Sequence, residues 1–307
     1  MKKSHLLVCV LAISSGTAHA RQVHVTAPQG GVARWPGQDA KTCGMYARRY
    51  AAVRGVCYYP IDMRARVGRH RIALWDAHGV EHTGVVQVEA TTFPDVKMDL
   101  PPSLARYIDV SPEDTARAAK ESTEVGKLLK GLDEPPHFTL PLGKPAVKLP
   151  KSQDDFGSTR TFNGKKKSLH TGRDYPVEVN DALHAIADGT VVLATEQFYT
   201  GNAVYIDHGD GLVSESFHLK SLAVKTGDVV KRGQLLGRVG ATGRATGPHL
   251  HLGVRWLGKR IDPALLLEAP TNLPSVTDSP AAAEEKRVEE AEKKEPPETD
   301  APLAEDD

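Results

Sequence analysis

The segment Gly247-Pro248-His249-Leu250-His251-Leu252-Gly253-Val254 decides how the rest of this 307-residue chain is read. Leu250, Leu252 and Val254 alternate with His249, His251 and Gly253, the period-two pattern of a strand with one apolar face. Both histidines then leave the same face, roughly 7 Å apart at about 3.3 Å per residue. Two imidazoles at that spacing can serve one reaction centre, one holding a metal and the other handling protons.

Residues of matching chemistry lie upstream, in His170-Thr171-Gly172-Arg173-Asp174 and in Phe217-His218-Leu219. A zinc site that carries out chemistry takes three His, Asp or Glu ligands and leaves a position for water or substrate. The three motifs together offer one Asp and four His. Between them run short apolar or alternating stretches at 185–187, 190–194, 203–207, 212–215 and 235–239, separated by Gly, Asp or Asn turns. Short strands without intervening long helices predict an all-β sheet or barrel, not a parallel α/β fold.

These motifs, with Gly227-Asp228-x-Val230-x-x-Gly233-Gln234 and Thr242-Gly243-Arg244-Ala245-Thr246 before the histidine strand, resemble the lysostaphin/LytM-type zinc metallopeptidases. The likeness is dense over 138–267, taking in Phe156-Gly157, Arg160, Phe162-Asn163-Gly164 and Asp207-His208-Gly209. The resemblance implies a compact antiparallel β fold with one zinc per chain in a groove, cutting the peptide part of bacterial cell wall. By position it makes His170, Asp174 and His251 the zinc ligands and His218 and His249 the catalytic pair. His249 is then better placed as general base, with His218 orienting substrate or stabilising the oxyanion, although either assignment fits the sequence. Arg160 and Asn163 are candidates for lining the groove. Departures from the family pattern, at Arg173, at 178–184 and at Glu215-Ser216, bear on groove shape and not on any ligand. The other histidines, among them His24, His70, His78, His82, His137, His184 and His208, are read as structural.

Hydrophobic residues make up 40% of the chain, enough for a sizeable core. Net formal charge is zero, but residues 268–307 hold four Lys/Arg against thirteen Asp/Glu, so the body is as basic as the tail is acidic. Pro, Ala, Glu and Lys dominate that tail, which predicts disorder. Residues 1–20 read as a signal peptide, with Lys2 and Lys3 ahead of a short apolar core and Ala18-His19-Ala20 as the cleavage signal. The mature chain then keeps two cysteines, Cys43 and Cys57, expected as one disulfide in an oxidising compartment such as the periplasm. Nothing suggests a membrane span or a nucleic-acid partner.

The expected fold is mainly β: an Ig-like sandwich over 21–98, a helical linker over 99–137, the metallopeptidase unit over 138–267 and the tail. Composition at 46–53 also permits a helix, which weighs against the sandwich. Related periplasmic members carry a β-rich domain in this place, with a pattern seen here as Gly68-Arg69-His70-Arg71-Ile72. Ser111, Pro112 and Asp114 form a helix start of capping-box spacing, before a polar body that suits a bridge between domains. The expected function is an exported endopeptidase acting on peptidoglycan stem or cross-bridge peptides, with D,D-specificity suggested by the resemblance. The competing readings are a non-catalytic peptidoglycan-binding activator of a cell-wall amidase and a secreted protease acting on proteins.

Overall fold

The computed structural model describes residues 23–276, apart from Gln38, Asp133 and the side chain of Lys166. The expected signal peptide, residues 1–20, and most of the acidic tail lie outside the described residues. The chain is mainly β, as expected.

Eight strands come first: β1 (Val23–Pro28), β2 (Val32–Trp35), β3 (Thr42–Met45), β4 (Arg48–Ala51), β5 (Cys57–Pro60), β6 (Gly68–Trp75), β7 (Glu81–Glu89) and β8 (Asp95–Met98). Five of them form a sheet of order β1-β7-β6-β3-β4, and β2 pairs with β5 in a separate ribbon. Between these layers sits a core that includes Trp35, Tyr59, Ile72 and Leu74. The disulfide Cys43–Cys57, with Cα atoms 5.4 Å apart, ties β3 to the ribbon. Closing a loop of that length stabilises the fold by about 3 kcal/mol on the chain-entropy account. The stretch 46–53 forms no helix: Tyr46 and Ala47 take φ of 53° and 59°, which makes a tight hairpin between β3 and β4.

Strand β8 leaves this unit and runs parallel to β9 (Thr159–Phe162), which pairs in turn with β10 (Lys166–Leu169). Between β8 and β9 lies helix α1 (Pro112–Leu128), where Ser111 Oγ accepts from the Asp114 N–H at 3.0 Å as its cap. The helix does more than bridge. Val125 packs on Ala203, Tyr205 and Phe217, and Glu121 accepts from the Phe198 N–H at 2.8 Å.

The remaining strands are β11 (Gly172–Tyr175), β12 (Ala182–His184), β13 (Gly189–Gln197), β14 (Gly201–Asp207), β15 (Leu212–Leu222), β16 (Val229–Val230), β17 (Leu235–Val239), β18 (Leu250–Trp256) and β19 (Lys259–Ile261). They form one antiparallel sheet whose main path is β11-β18-β15-β14-β13-β16. Leu250, Leu252, Val254 and Trp256 are buried in its core, as the alternation requires. Trp256 also meets Tyr58 of the ribbon, with ring centroids 5.7 Å apart, so the two β units share packing.

After the short helix α2 (Ala264–Leu267), residues 268–276 part from the expected disordered tail. The Arg34 N–H donates to the Pro274 carbonyl at 2.8 Å, and Leu273 and Val276 are buried. These two apolar side chains find a core to enter, which the acidic composition of the segment did not suggest.

His208 is fully buried, bonded to the Asp188 carbonyl at 2.8 Å and to Ser214 Oγ at 2.8 Å. Burial lowers its pKa to about 4. The unfolded chain, with a histidine near 6.5, therefore binds more protons between pH 6.5 and 4, and stability falls as pH drops through that window. The expected loss is about 3 kcal/mol across it. Urea midpoints measured from pH 7 to 4.5 should fall less steeply in His208→Gln; equal slopes would refute this origin.

Candidate metal centre

Strands β11 and β18 pair in the register Asp174↔His251, and His170 opens the two-residue link from β10 to β11. This pairing brings three ligand atoms together. His170 Nε2 lies 3.0 Å from Asp174 Oδ1 and 2.9 Å from His251 Nδ1, and His251 Nδ1 lies 3.0 Å from Asp174 Oδ1. Two of the three residues are buried and Asp174 is half-buried.

The bonds behind this triangle fix what it presents. His170 Nδ1 lies 3.0 Å from the Asp155 carbonyl, which can only accept, so Nδ1 carries the proton and Nε2 offers its lone pair. Arg160 donates to Asp174 Oδ2 at 2.7 Å and to Asp155 Oδ2 at 2.5 Å. Burial alone raises the pKa of Asp174, but bonds with His170 and His251 outweigh it and hold the carboxylate ionised, well below the usual range. Burial lowers the pKa of His251, against the pull of Asp174. His251 Nε2 is buried without a partner. His170 Nε2 and Asp174 Oδ1, 3.0 Å apart, need a positive charge between them, a proton or a metal ion, and His251 Nδ1 beside both completes a three-ligand set for the latter. The spacings come close to the roughly 3.3 Å between nitrogen and oxygen ligands of a tetrahedral zinc.

The other two histidines flank the triangle. His249 Nε2 lies 3.6 Å from Asp174 Oδ1, and its Nδ1 sits 2.9 Å from the Gly247 carbonyl. His218 Nδ1 sits 2.8 Å from the Thr242 carbonyl. Each ring therefore keeps a proton on Nδ1, which leaves Nε2 as its free position. Their centroids are 4.8 Å apart. Burial, then the neighbouring His249 and His251, lowers the pKa of His218 to about 3, so it stays neutral throughout ordinary pH. His218 also takes φ 65°, a left-handed conformation for a residue with a Cβ, beside breaks in the register of β15 with β14 and β17. Phe217 pairs with His251 and stacks on it, centroids 4.9 Å apart and planes within 5°.

All five side chains line a groove of about 510 Å³. Its walls come from the β8 segment (Val96, Met98, Leu100), the β9–β10 hairpin, the 199–200 turn and the loop before β18. Residues 168–263, which contain all five, match the profile of peptidase family M23. The chain contains an M23 peptidase domain.

A Pseudomonas aeruginosa crystal structure described as a peptidase M23 superposes on it with a TM-score of 0.59 at 28% identity, covering 78% of this chain and 94% of that one. The Vibrio cholerae peptidoglycan DD-endopeptidase ShyC is 44% identical over 82 residues, which is 27% of this chain and 19% of ShyC. The Neisseria meningitidis DD-carboxypeptidase/endopeptidase Mpg is 36% identical over 123 residues, 40% of this chain and 28% of Mpg. This chain thus spans less than a third of either curated relative.

Around the M23 metallopeptidase centre, the remaining expectations sort themselves by contact. Arg160 lines the groove and also holds Asp174 and Asp155. Asn163 is not among the groove-lining residues: it sits at the tip of the β9–β10 hairpin with φ 49°, where its Oδ1 accepts from the Leu100 N–H at 2.6 Å. Asp155 was missed altogether: its carbonyl faces His170 and its carboxylate accepts from Arg160, contacts that no local pattern in the sequence signals. The departures from the family pattern also find partners. Arg173 bonds Asp262 at 2.6 and 2.5 Å, and Glu215, buried, accepts from Arg255 at 2.5 Å.

Proposed function

We propose that this chain is a zinc metalloendopeptidase that hydrolyses peptide bonds in peptidoglycan, with D,D-cross-links as its substrate and one zinc per chain. The observation that carries this reading is the triangle of ligand atoms from His170, Asp174 and His251, with His218 and His249 beside it in one groove. The names of the relatives support the substrate, and the disulfide supports export to the periplasm. The M23 unit over 138–267 is taken as the catalytic domain, with the β unit over 21–98 and the linker over 99–137 as its support.

His170, Asp174 and His251 would hold the zinc, which when bound supplies a Lewis acid that polarises the peptide carbonyl and acidifies the attacking water. His249, with its Nε2 lone pair 3.6 Å from Asp174, takes the proton from that water as general base and returns one to the leaving amine. His218, too weak a base to compete, positions the scissile peptide. Phe217 keeps the His251 ring from turning, and Arg160 does the same for the Asp174 carboxylate.

The test is zinc content and digestion of purified cross-linked peptidoglycan by residues 21–307, beside His249→Ala. The expected result is near one zinc in both proteins and released stem peptides in the wild type alone, with turnover in the variant down about 100-fold or more. Zinc without cleavage by the wild type would favour the amidase-activator reading instead. Loss of zinc from His249→Ala would exchange the assignments of His249 and His251.

A further inference from the structure

Two arginines line the catalytic groove, and they differ in what they face. Arg160 is committed to Asp155 and Asp174. Arg244 meets no carboxylate among the described residues. Its guanidinium lies over two aromatic rings, 4.4 Å from the centroid of Phe162 and 4.8 Å from that of Tyr199. One nitrogen donates to Ser168 Oγ at 2.9 Å. Burial lowers its pKa to about 10, with Arg160 adding to the effect.

A guanidinium withdrawn from water is stable when a counter-charge replaces the lost hydration. Its planar fork suits a carboxylate, which it binds through two parallel bonds, and contact with two rings and Ser168 holds the fork before a ligand arrives. Phe162, Ser168, Tyr199 and Arg244 line the same groove as His218, His249 and His251. Stem peptides of peptidoglycan carry free carboxylates on their acidic residues and at their C-termini. We propose that Arg244 is the receptor for one of these carboxylates, a specificity contact that sets the peptide in register with the metal centre. This rests on the peptidase reading above.

The test separates the two ideas. Binding of synthetic cross-linked stem peptides is measured by calorimetry on zinc-loaded full-length His249→Ala protein, which keeps Arg244. Three peptides are compared: all carboxylates free, the C-terminus amidated, and the acidic residue amidated. One of the two amidations should weaken binding about tenfold or more, which identifies the carboxylate. Arg244→Gln in the same background should weaken the free peptide equally and bind that amidated peptide no worse. Arg244→Lys should recover part of the preference, because it keeps the charge.

If neither amidation matters, if Arg244→Gln weakens all three peptides by one factor, or if no peptide binds, Arg244 is only a strut between the groove walls and the proposal fails. The amidation series needs no substitution at Arg244, so misfolding of a variant does not blunt it. A protein that discriminates carboxylates through Arg244 yet never cleaves peptidoglycan with His249 intact keeps this inference and loses the peptidase reading. Cleavage with affinities indifferent to Arg244 does the reverse.

Discussion

Asp174→Ala is expected to hold no zinc after dialysis and to lose peptidoglycan cleavage by a thousandfold or more, on the order of several kcal/mol of transition-state stabilisation. Asp174 is the one anion in the triangle, 3.0 Å from both His170 Nε2 and His251 Nδ1. Without it, two neutral imidazoles would have to hold a dication, and the Arg160 guanidinium, freed from one of its two carboxylates, would oppose the metal's charge. In the empty variant the imidazole nitrogens, 2.9 Å apart, can share one proton, so the fold has a way to settle that excludes the metal. Asp174→Asn keeps the shape and a carbonyl oxygen but no charge, and should bind zinc weakly while unfolding like the wild type. Metal analysis and activity read this outcome directly. Stoichiometric zinc in Asp174→Ala would remove Asp174 from the ligand set.

How much of this was legible in the sequence depended on the range of the interaction. The alternation of 250–254 fixed β18, its apolar face and the side from which the histidines point, because period-two burial is a local property of the chain. The cap at Ser111 was legible for the same reason. The hairpin at 46–51 was not, since Tyr46 and Ala47 lack the Gly or Asn that usually signals φ above zero. The left-handed turn at His218 was invisible as well: it follows from irregular pairing with two neighbouring strands and not from its own residue type.

Contacts between distant segments were the least readable. Asp155 touches His170 through a carbonyl, and nothing in its side chain announces that. Glu215 departs from the family pattern, and Arg255, 2.5 Å away on the neighbouring strand, supplies its partner. Helix α1 was expected to bridge domains on the strength of its polar body, yet one buried residue, Val125, is enough to set it on the strands that carry the site. A few apolar side chains decide such docking, and their partners lie far off in sequence.

The sharpest separation of ligand identity from ligand placement is Gly172→Ala. A Cβ added at Gly172 would lie 2.4 Å from the Leu252 carbonyl oxygen and 2.7 Å from His251 Nε2. Neither neighbour can yield cheaply. Leu252 belongs to the β18 ladder, where Gly172 pairs with Gly253, and moving its carbonyl breaks the register that sets Asp174 opposite His251. The His251 ring cannot swing away, because Phe217 stacks on it at 4.9 Å. Overpacking of this kind destabilises by about 1–3 kcal/mol, and the strain here falls on a metal ligand. Zinc affinity should therefore drop roughly 100-fold although all three ligands remain, an effect at the upper end for residues that support a metal site. Gly253→Ala is the matched control: its Cβ would come within 2.9 Å of Glu215 Oε2, at the end of a side chain and away from the triangle. It should cost stability and leave zinc affinity near the wild-type value. Competition with a chromophoric chelator measures both variants, and wild-type affinity in Gly172→Ala would show that the His251 ring is not held where the triangle needs it.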